Sequence, residues 1–303
     1  MVDPLVSVVM GVRNGGTDLE PALCSVLNQE NVDLELLVID DGSDDGSDAV
    51  LAAVAKQDGR LRVFRRPGRG LTVALIEGCA EARGRFLARQ DAGDLSLPGR
   101  LSRQLACLEA DPSAVLCSTH SSLVVPEGTA IAINAPTESD LADGLSMTPQ
   151  HGCVLMRREA YRQVGGYRRC FYFAQDLDMW SRLVEIGRHR VIPEVLYEAR
   201  IDPGSISGMR RREQDGFHRL IVQAARARRE GRSEAPWLDQ AEALSERCRR
   251  GLPRSARRKA AGAYFLGASL SDREPALARR YLQQAVALDP LHWRARWKLS
   301  RLR

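Results

Sequence analysis

The chain has 303 residues, 44% of them hydrophobic and 27% charged, with a net charge of +5. That length buries one large core or two smaller ones, and the composition excludes a disordered chain or a fibre. No run approaches the roughly 18 apolar residues that span a bilayer, and residues 1–5 are not followed by the apolar stretch of a signal peptide, so the expected compartment is the cytoplasm.

The first hundred residues alternate β-branched runs with helical spacing, the pattern of βαβ units on a mostly parallel sheet. Strands are predicted over residues 6–12, 34–39, 61–64 and 85–89. Between them Leu19, Leu23, Val26 and Leu27 keep helical spacing, as do Val50, Leu51 and Val54, and then Leu71, Leu75 and Cys79. A helix follows Pro98 over 101–108, then a strand over 114–118. Pro126, Pro136 and Pro149 break the pattern from 121 to 150, where loops and short strands are expected. Periodicity returns as a strand over 153–156, helices over 158–164 and 177–186, and a strand over 195–201. The α/β domain is expected to close near Ser207, giving a first unit of residues 1–208.

Beyond it every pattern is helical, over 214–229, 237–250, 255–269, 275–288 and 293–302, defining an extension of residues 209–303. Charge separates the two units: residues 1–208 carry 21 Lys+Arg against 29 Asp+Glu, and 209–303 carry 23 against 10. The basic clusters Arg210-Arg-Arg212, Arg226, Arg228, Arg229, Arg249, Arg250 and Arg257-Arg-Lys259 either pair with the acidic body or face the inner surface of an anionic membrane as a peripheral contact. The stretch Ala278-Arg-Arg-Tyr-Leu-Gln-Gln-Ala-Val-Ala-Leu-Asp-Pro290 resembles the second helix of a tetratricopeptide unit. Arrays of that kind need about three repeats to close a core, so a helical extension packed on the larger domain is expected. Seven cysteines, without a Cys-x-x-Cys pair, fall mostly in apolar runs and read as buried thiols.

Four segments carry chemistry. The first, Val6-Ser-Val-Val-Met-Gly-Val-Arg-Asn14, is a buried strand that ends in small and polar residues at the carboxyl edge of the sheet. Ligands of open α/β sheets bind outside such strand ends, which turns Asn14 and the backbone around Val12 toward a ligand. The second, Leu36-Leu-Val-Ile-Asp-Asp-Gly-Ser-Asp-Asp-Gly-Ser47, ends in Asp40 and Asp41. A carboxylate there can accept the imino proton of a pyrimidine, and Gly42 lets the backbone come close. The third is Gly84-Arg-Phe-Leu-Ala-Arg-Gln-Asp-Ala-Gly-Asp-Leu-Ser-Leu-Pro-Gly-Arg-Leu101, with Gln90, Asp91 and Asp94 at another strand end. The fourth is Gln150-His-Gly-Cys-Val-Leu-Met-Arg-Arg158, followed by Val164-Gly-Gly-Tyr167 and by Ala174-Gln-Asp-Leu-Asp-Met-Trp-Ser-Arg-Leu183.

In this order and spacing, the four segments resemble the family 2 glycosyltransferases over residues 1–208. The resemblance implies a mostly parallel, Rossmann-like α/β sheet of the GT-A type, here with a C-terminal all-helical extension. It implies inverting transfer of one sugar from a nucleotide-diphosphate donor to an acceptor hydroxyl, in cell-surface glycan or polysaccharide synthesis. Nucleotide contacts are implied at Val12, Asn14, Asp40, Asp41, Gly70, Gln90 and Asp91, with uridine or thymidine diphosphate favoured. A Mg²⁺ or Mn²⁺ ion on the donor diphosphate is implied at Asp91 and Asp94, since hard cations take oxygen ligands. Gly93 stands where the family pattern has an acid, and Gln175 where it usually has Glu.

By the same match Asp176 is the catalytic base, because a carboxylate suits a hydroxyl that becomes acidic only as it attacks. Asp178 reads as a first-turn acid favoured by the helix dipole. His151, Arg200 and Asp202 are further candidates for donor or acceptor contacts, Asp202 standing where the family often has His. The implied acceptor is a glycan or a lipid-linked sugar, and no nucleic-acid partner is implied. Processive synthases carry a Gln-x-x-Arg-Trp motif and membrane helices, both absent here, so one sugar per encounter is expected. Two alternatives stand beside this reading. One is a decayed transferase acting as a scaffold through its helical tail, which Gly93 and Gln175 support. The other is a sugar nucleotidyltransferase, which would open with a Gly-rich, Arg- and Lys-bearing phosphate loop that residues 6–16 lack.

Overall fold

The computed structural model describes residues 4–133, 148–201, 203, 209–250 and 255–302. Its first half alternates β1 (Val6–Val12), α1 (Leu19–Leu27), β2 (Leu34–Asp40), α2 (Ser47–Gln57), β3 (Leu61–Arg65), α3 (Leu71–Glu81) and β4 (Phe86–Asp91), as the periodicity predicts. Every residue of β2 is buried, as is nearly all of β1. Strands covered by helices on both faces read as continuous apolar runs, which is why these were legible. β1 pairs in parallel with β2 and β4, and β3 lies in parallel outside β2. All four carboxyl ends therefore open on one edge.

The second half adds β5 (Leu95–Ser96), α4 (Arg100–Ala110), β6 (Ala114–Val124), β7 (Ala130–Ile133), β8 (Val154–Arg157), α5 (Arg158–Gln163), α6 (Gln175–Leu183) and β9 (Arg188–Arg200). The sheet runs β3-β2-β1-β4-β8-β6-β9-β5, with β7 on β6. β8 is antiparallel to both of its neighbours, while β6 and β9 are parallel. The sheet is thus parallel from β3 to β4 and mixed beyond it.

Two strands outrun their expected bounds. The strand expected over 114–118 continues to Val124, and the one expected from 195 begins at Arg188. Their added residues are polar or irregular: Thr119, Ser121 and Ser122 are buried, and the β6–β9 register slips between Thr119 and Ser121. Pro193 falls in that irregularity, where a missing ladder donor costs least. Hydrophobic alternation cannot flag a strand whose buried face is hydroxyl-bearing. In the stretch expected as loops and short strands, the end of β6 and its hairpin partner β7 occupy residues up to 133, and 134–147 lie outside the described residues.

The extension comprises α7 (Arg211–Arg229), α8 (Ala235–Arg249), α9 (Ala256–Leu270), α10 (Pro275–Leu288) and α11 (Trp293–Arg301). Pro236 and Pro275 sit in first turns, where a missing N–H costs nothing, and Ser255 caps α9 by accepting the Arg258 N–H. Phe217 and Ile221 of α7 and Ala241 of α8 are buried in one cluster with Phe171, Leu177 and Trp180. Leu266, Leu270, Ala278 and Tyr281 join a second cluster with Val125, Ile131 and Ile201. Close packing of α9 on α10 needs Gly267, where a Cβ would come within 2.7 Å of Leu282.

Several of the basic clusters are spent on ion pairs. Arg228 meets Glu185 and Glu234, Arg258 meets Glu213, Arg249 meets Glu242 and Arg226 meets Glu230. All of the cysteines are free thiols, with Cys79, Cys117, Cys153 and Cys248 buried. No helix among the described residues is long and apolar enough to cross a membrane.

Candidate active site

A cleft of about 1130 Å³ opens at the carboxyl edge of β1 and β4. Asn14, Asp91, Asp94, His151, Asp176 and Arg200 lie on its wall, and Phe265 of α9 closes it from the extension. Asp202 lies outside the described residues.

The turns after β1 and β2 are tied to each other. Asn14 donates through Nδ2 to Asp44 Oδ1 at 2.8 Å and accepts the Asp44 N–H at Oδ1 at 2.9 Å. Asp45 accepts the Gly16 N–H. Asp40 is buried and accepts the Ser43 N–H at 2.9 Å, while the Val12 carbonyl accepts the Asp41 N–H at 2.8 Å. Each oxygen of Asp41 takes one backbone N–H at 2.7 Å, from Arg69 and Gly70. Asp41 thereby pins the turn that starts α3. Gly70 has φ of +95°, and a Cβ there would come within 2.9 Å of the Tyr172 ring. Val12, Asp40, Asp41 and Gly70 therefore form a ring of linked turns beside the cleft, not its wall.

Gln90 lies beneath the Asp91–Asp94 turn. It donates to the Asp94 carbonyl at 2.8 Å and accepts from Ser96 at 2.7 Å and from the buried Arg100 at 3.1 Å. Its role in the structure is to brace that turn. Asp94 is almost fully buried, accepting the Tyr197 hydroxyl at 2.8 Å on Oδ2 and the Arg200 N–H at 2.9 Å on Oδ1. Burial, and next the charge of Asp91, push its carboxyl up to about 7.

Asp91 is 37% exposed, and Arg89, 1% exposed, donates to its Oδ1 at 2.5 Å. Oδ2 of Asp91 receives no hydrogen bond from a described residue, so it is left as an oxygen donor in the cleft. No group of three or more metal-ligating side chains occurs among the described residues. The donor set fits a hard cation that takes one carboxylate oxygen from the protein and the rest of its shell from diphosphate and water, a usual arrangement for Mg²⁺. Gly93 has φ of +148°, a backbone region in which side-chain-bearing residues are strained by about 1–3 kcal/mol. The turn as built accommodates glycine where the family pattern has an acid.

Across the cleft, α6 begins after Ala174, a non-glycine residue at φ of +57°. Asp176 sits in its first turn and accepts the Leu177 N–H at 2.9 Å. Burial raises its carboxyl above the usual aspartate range, and the charge of Asp91 adds to the rise. His151 pairs through Nε2 with the Tyr167 hydroxyl at 2.8 Å and packs edge-on against Trp180. Burial, with Arg89 nearby, holds it neutral. Arg200 ion-pairs with Asp18. Asp178 lies in the first turn of α6, as expected, and is in addition fully buried between Arg168 and Arg182.

Sequence reasoning passed over Arg89, Tyr197 and Phe265. A lone arginine in the middle of an apolar strand was a readable signal for Arg89. Tyr197 and Phe265 carried none, because their partners lie far away in the chain. Gly152 belongs with Tyr197, since a Cβ at 152 would fall 1.8 Å from its hydroxyl oxygen.

A parallel-sheet edge bearing linked acidic turns, with carboxylates lining one cleft, is the kind of crevice in which open α/β sheets bind their ligands. The sequence pattern of glycosyl transferase family 2 matches residues 7–165, and the chain belongs to that family and is a glycosyltransferase. It is 34% identical over 208 residues to the "Putative glycosyltransferase EpsE" of Bacillus subtilis (strain 168), covering 66% of this chain and 74% of that protein. It is 31% identical over 210 residues to the "Putative teichuronic acid biosynthesis glycosyltransferase TuaG" of the same organism, covering 67% and 82%. The solved mannosyltransferase PcManGT of Pyrobaculum calidifontis, in complex with GDP-Man and Mn²⁺, shares the fold with a TM-score of 0.58 at 18% identity, covering 100% of this chain and 85% of that one. Asp176 lies beyond the segment that the family pattern matches.

Proposed function

We propose that the chain moves a single sugar from a nucleoside diphosphate donor to an acceptor hydroxyl with inversion, and that Asp176 takes the acceptor's proton. The observation that carries this reading is the place of Asp176: a half-buried carboxyl with raised proton affinity on the wall of the cleft that also holds Asp91. The nucleotide lies over the linked turns of β1 and β2. Each Asp41 oxygen keeps a lone pair beyond its backbone bond, which supports a uracil or thymine base accepted through its imino N–H. The diphosphate points to Asp91. A bound Mg²⁺ or Mn²⁺ ion, held at Asp91 Oδ2, would neutralise charge on the leaving diphosphate.

The acceptor hydroxyl enters from the side of Phe173 and Phe265, which line the cleft. Its oxygen attacks the anomeric carbon, the bond to the diphosphate oxygen breaks, and the hydroxyl proton passes to Asp176. No covalent intermediate is needed. The likeness to a protein named for teichuronic acid biosynthesis supports a glycan or lipid-linked acceptor in polysaccharide synthesis at the cytoplasmic face of a membrane. The test is release of nucleoside diphosphate by the purified chain across a panel of nucleotide sugars. Release from a uridine or thymidine donor, stimulated by acceptor, is expected. Neither release nor nucleotide binding with any donor would favour a scaffold and overturn the reading.

A further inference from the structure

The last helix carries a surface that the transferase cleft does not use. Leu291, Trp293 and Trp297, the most exposed large apolar side chains among the described residues at 77%, 68% and 50%, fall in that helix or, for Leu291, in the turn just before it. Trp293 and Trp297 are four positions apart and so share one helix face. The opposite side of α11 is already satisfied, with Ala295 buried on Ala263, Leu282 and Ala285, and Leu299 and Leu302 packed beside them. The indoles thus contribute nothing to the core.

From residue 290 to 302 the charged residues are Arg294, Arg296, Lys298 and Arg301, without one acid. The Arg294 guanidinium stands 5.3 Å from the Trp293 ring centre and that of Arg301 stands 4.3 Å from the Trp297 ring centre. No described carboxylate pairs with any of these four cations. Arg228, Arg249 and Arg258 elsewhere in the extension are, by comparison, spent on glutamates, and what sets the last helix apart is that cations free of carboxylates flank exposed indoles.

We propose that α11 seats the protein on an anionic lipid surface, with Trp293, Trp297 and Leu291 at the boundary between headgroups and acyl chains and the four cations on lipid phosphates. Indole rings favour that boundary, and an amphipathic helix lies along it with its apolar side down. The negative cytoplasmic leaflet supplies the counter-charge. A second copy of the chain fits less well: a two-fold contact would set this patch against itself, cation against cation. The proposal deepens the reading of a lipid-linked acceptor and is tested without turnover.

The full chain is floated with vesicles of phosphatidylglycerol in phosphatidylcholine and with phosphatidylcholine alone, at low and high salt. Flotation is expected with the anionic vesicles at low salt only, accompanied by a blue shift of tryptophan emission. The double variant Trp293→Ala/Trp297→Ala should lower partitioning about tenfold or more, and Arg294→Gln/Arg301→Gln should weaken it and flatten its salt dependence. Both variants should melt with the parent and bind nucleoside diphosphate as the parent does. A failed transferase reading would show in that second measurement and leave flotation untouched. Absence of flotation with anionic vesicles at low salt, or equal flotation of the tryptophan variant, overturns the proposal. A dimer in sedimentation that the tryptophan variant abolishes would assign the surface to a second copy and overturn it as well.

Discussion

Replacing Asp176 by Asn separates chemistry from architecture. The amide keeps the shape of the side chain and an oxygen for the Leu177 N–H, 2.9 Å away, and loses only the capacity to take a proton. General base catalysis supplies about 10²–10⁴-fold, or about 3–5 kcal/mol of barrier. The turnover number should fall by that factor while the affinity for nucleoside diphosphate holds. The base works ionised, and burial raises its carboxyl, so the acid limb of kcat/KM in the parent should lie above that of an ordinary aspartate, 3.8. Stability should move the other way. Below 3.8 the group is protonated in both states and contributes nothing. As pH rises toward the raised folded value, the unfolded chain releases the proton first and the fold loses stability, and the full loss is present above that value. Asn lacks this penalty, so the variant should melt above the parent at neutral pH, and the gap should close in acid. Initial rates of transfer, calorimetry with nucleoside diphosphate and melting curves against pH check the three parts. Comparable transfer rates in variant and parent would remove Asp176 from the mechanism. Equal melting at neutral pH would refute the argument from burial.

The neighbouring acid should behave oppositely: Asp178→Ala leaves Arg168 and Arg182 without their buried partner, costing about 3–5 kcal/mol, and a melting temperature near that of the parent would refute this. Gly93→Asp puts a side chain at φ of +148° at a cost of about 1–3 kcal/mol, so lowered melting with tighter Mn²⁺ binding in the presence of nucleotide is expected; unchanged ion affinity would show that the added carboxylate does not reach the site. Asp41→Ala removes both bonds to the turn before α3 and should weaken nucleoside diphosphate binding by about 1–3 kcal/mol; unchanged affinity in calorimetry would place the base elsewhere.

The α10 bounds predicted from periodicity, 275–288, agree with the structure, and β1 agrees over 6–12. Both are elements whose buried residues are apolar, Ser7 of β1 excepted, and whose ends are marked by proline or by polar turn residues. Elements without such marks were shortened or missed. β5 is two residues long, too short for any period, and the first part of β9 carries Arg188, His189 and Arg190.

The candidate site divides in the same way. Asp91 and Asp176 were found because strand ends and helix starts are local features, and a window of ten residues holds their signature. What each carboxylate does there was not local. Asp94 and Asp91 look alike in sequence, yet Tyr197, 103 positions on, occupies one and leaves an oxygen of the other free. Asp176 and Asp178 share a helical turn, but only Asp178 meets the arginines that neutralise it. In the tail, arginines of one composition divide between glutamates reached through packing and the unpaired cations of α11. Periodicity and motif spacing are properties of neighbouring residues, so the sequence alone determined the order of the longer elements, the family and which acids stand at strand ends and helix starts. Desolvation and pairing depend on contacts between distant segments, so only the tertiary structure decided which of those acids are buried, paired or free to act.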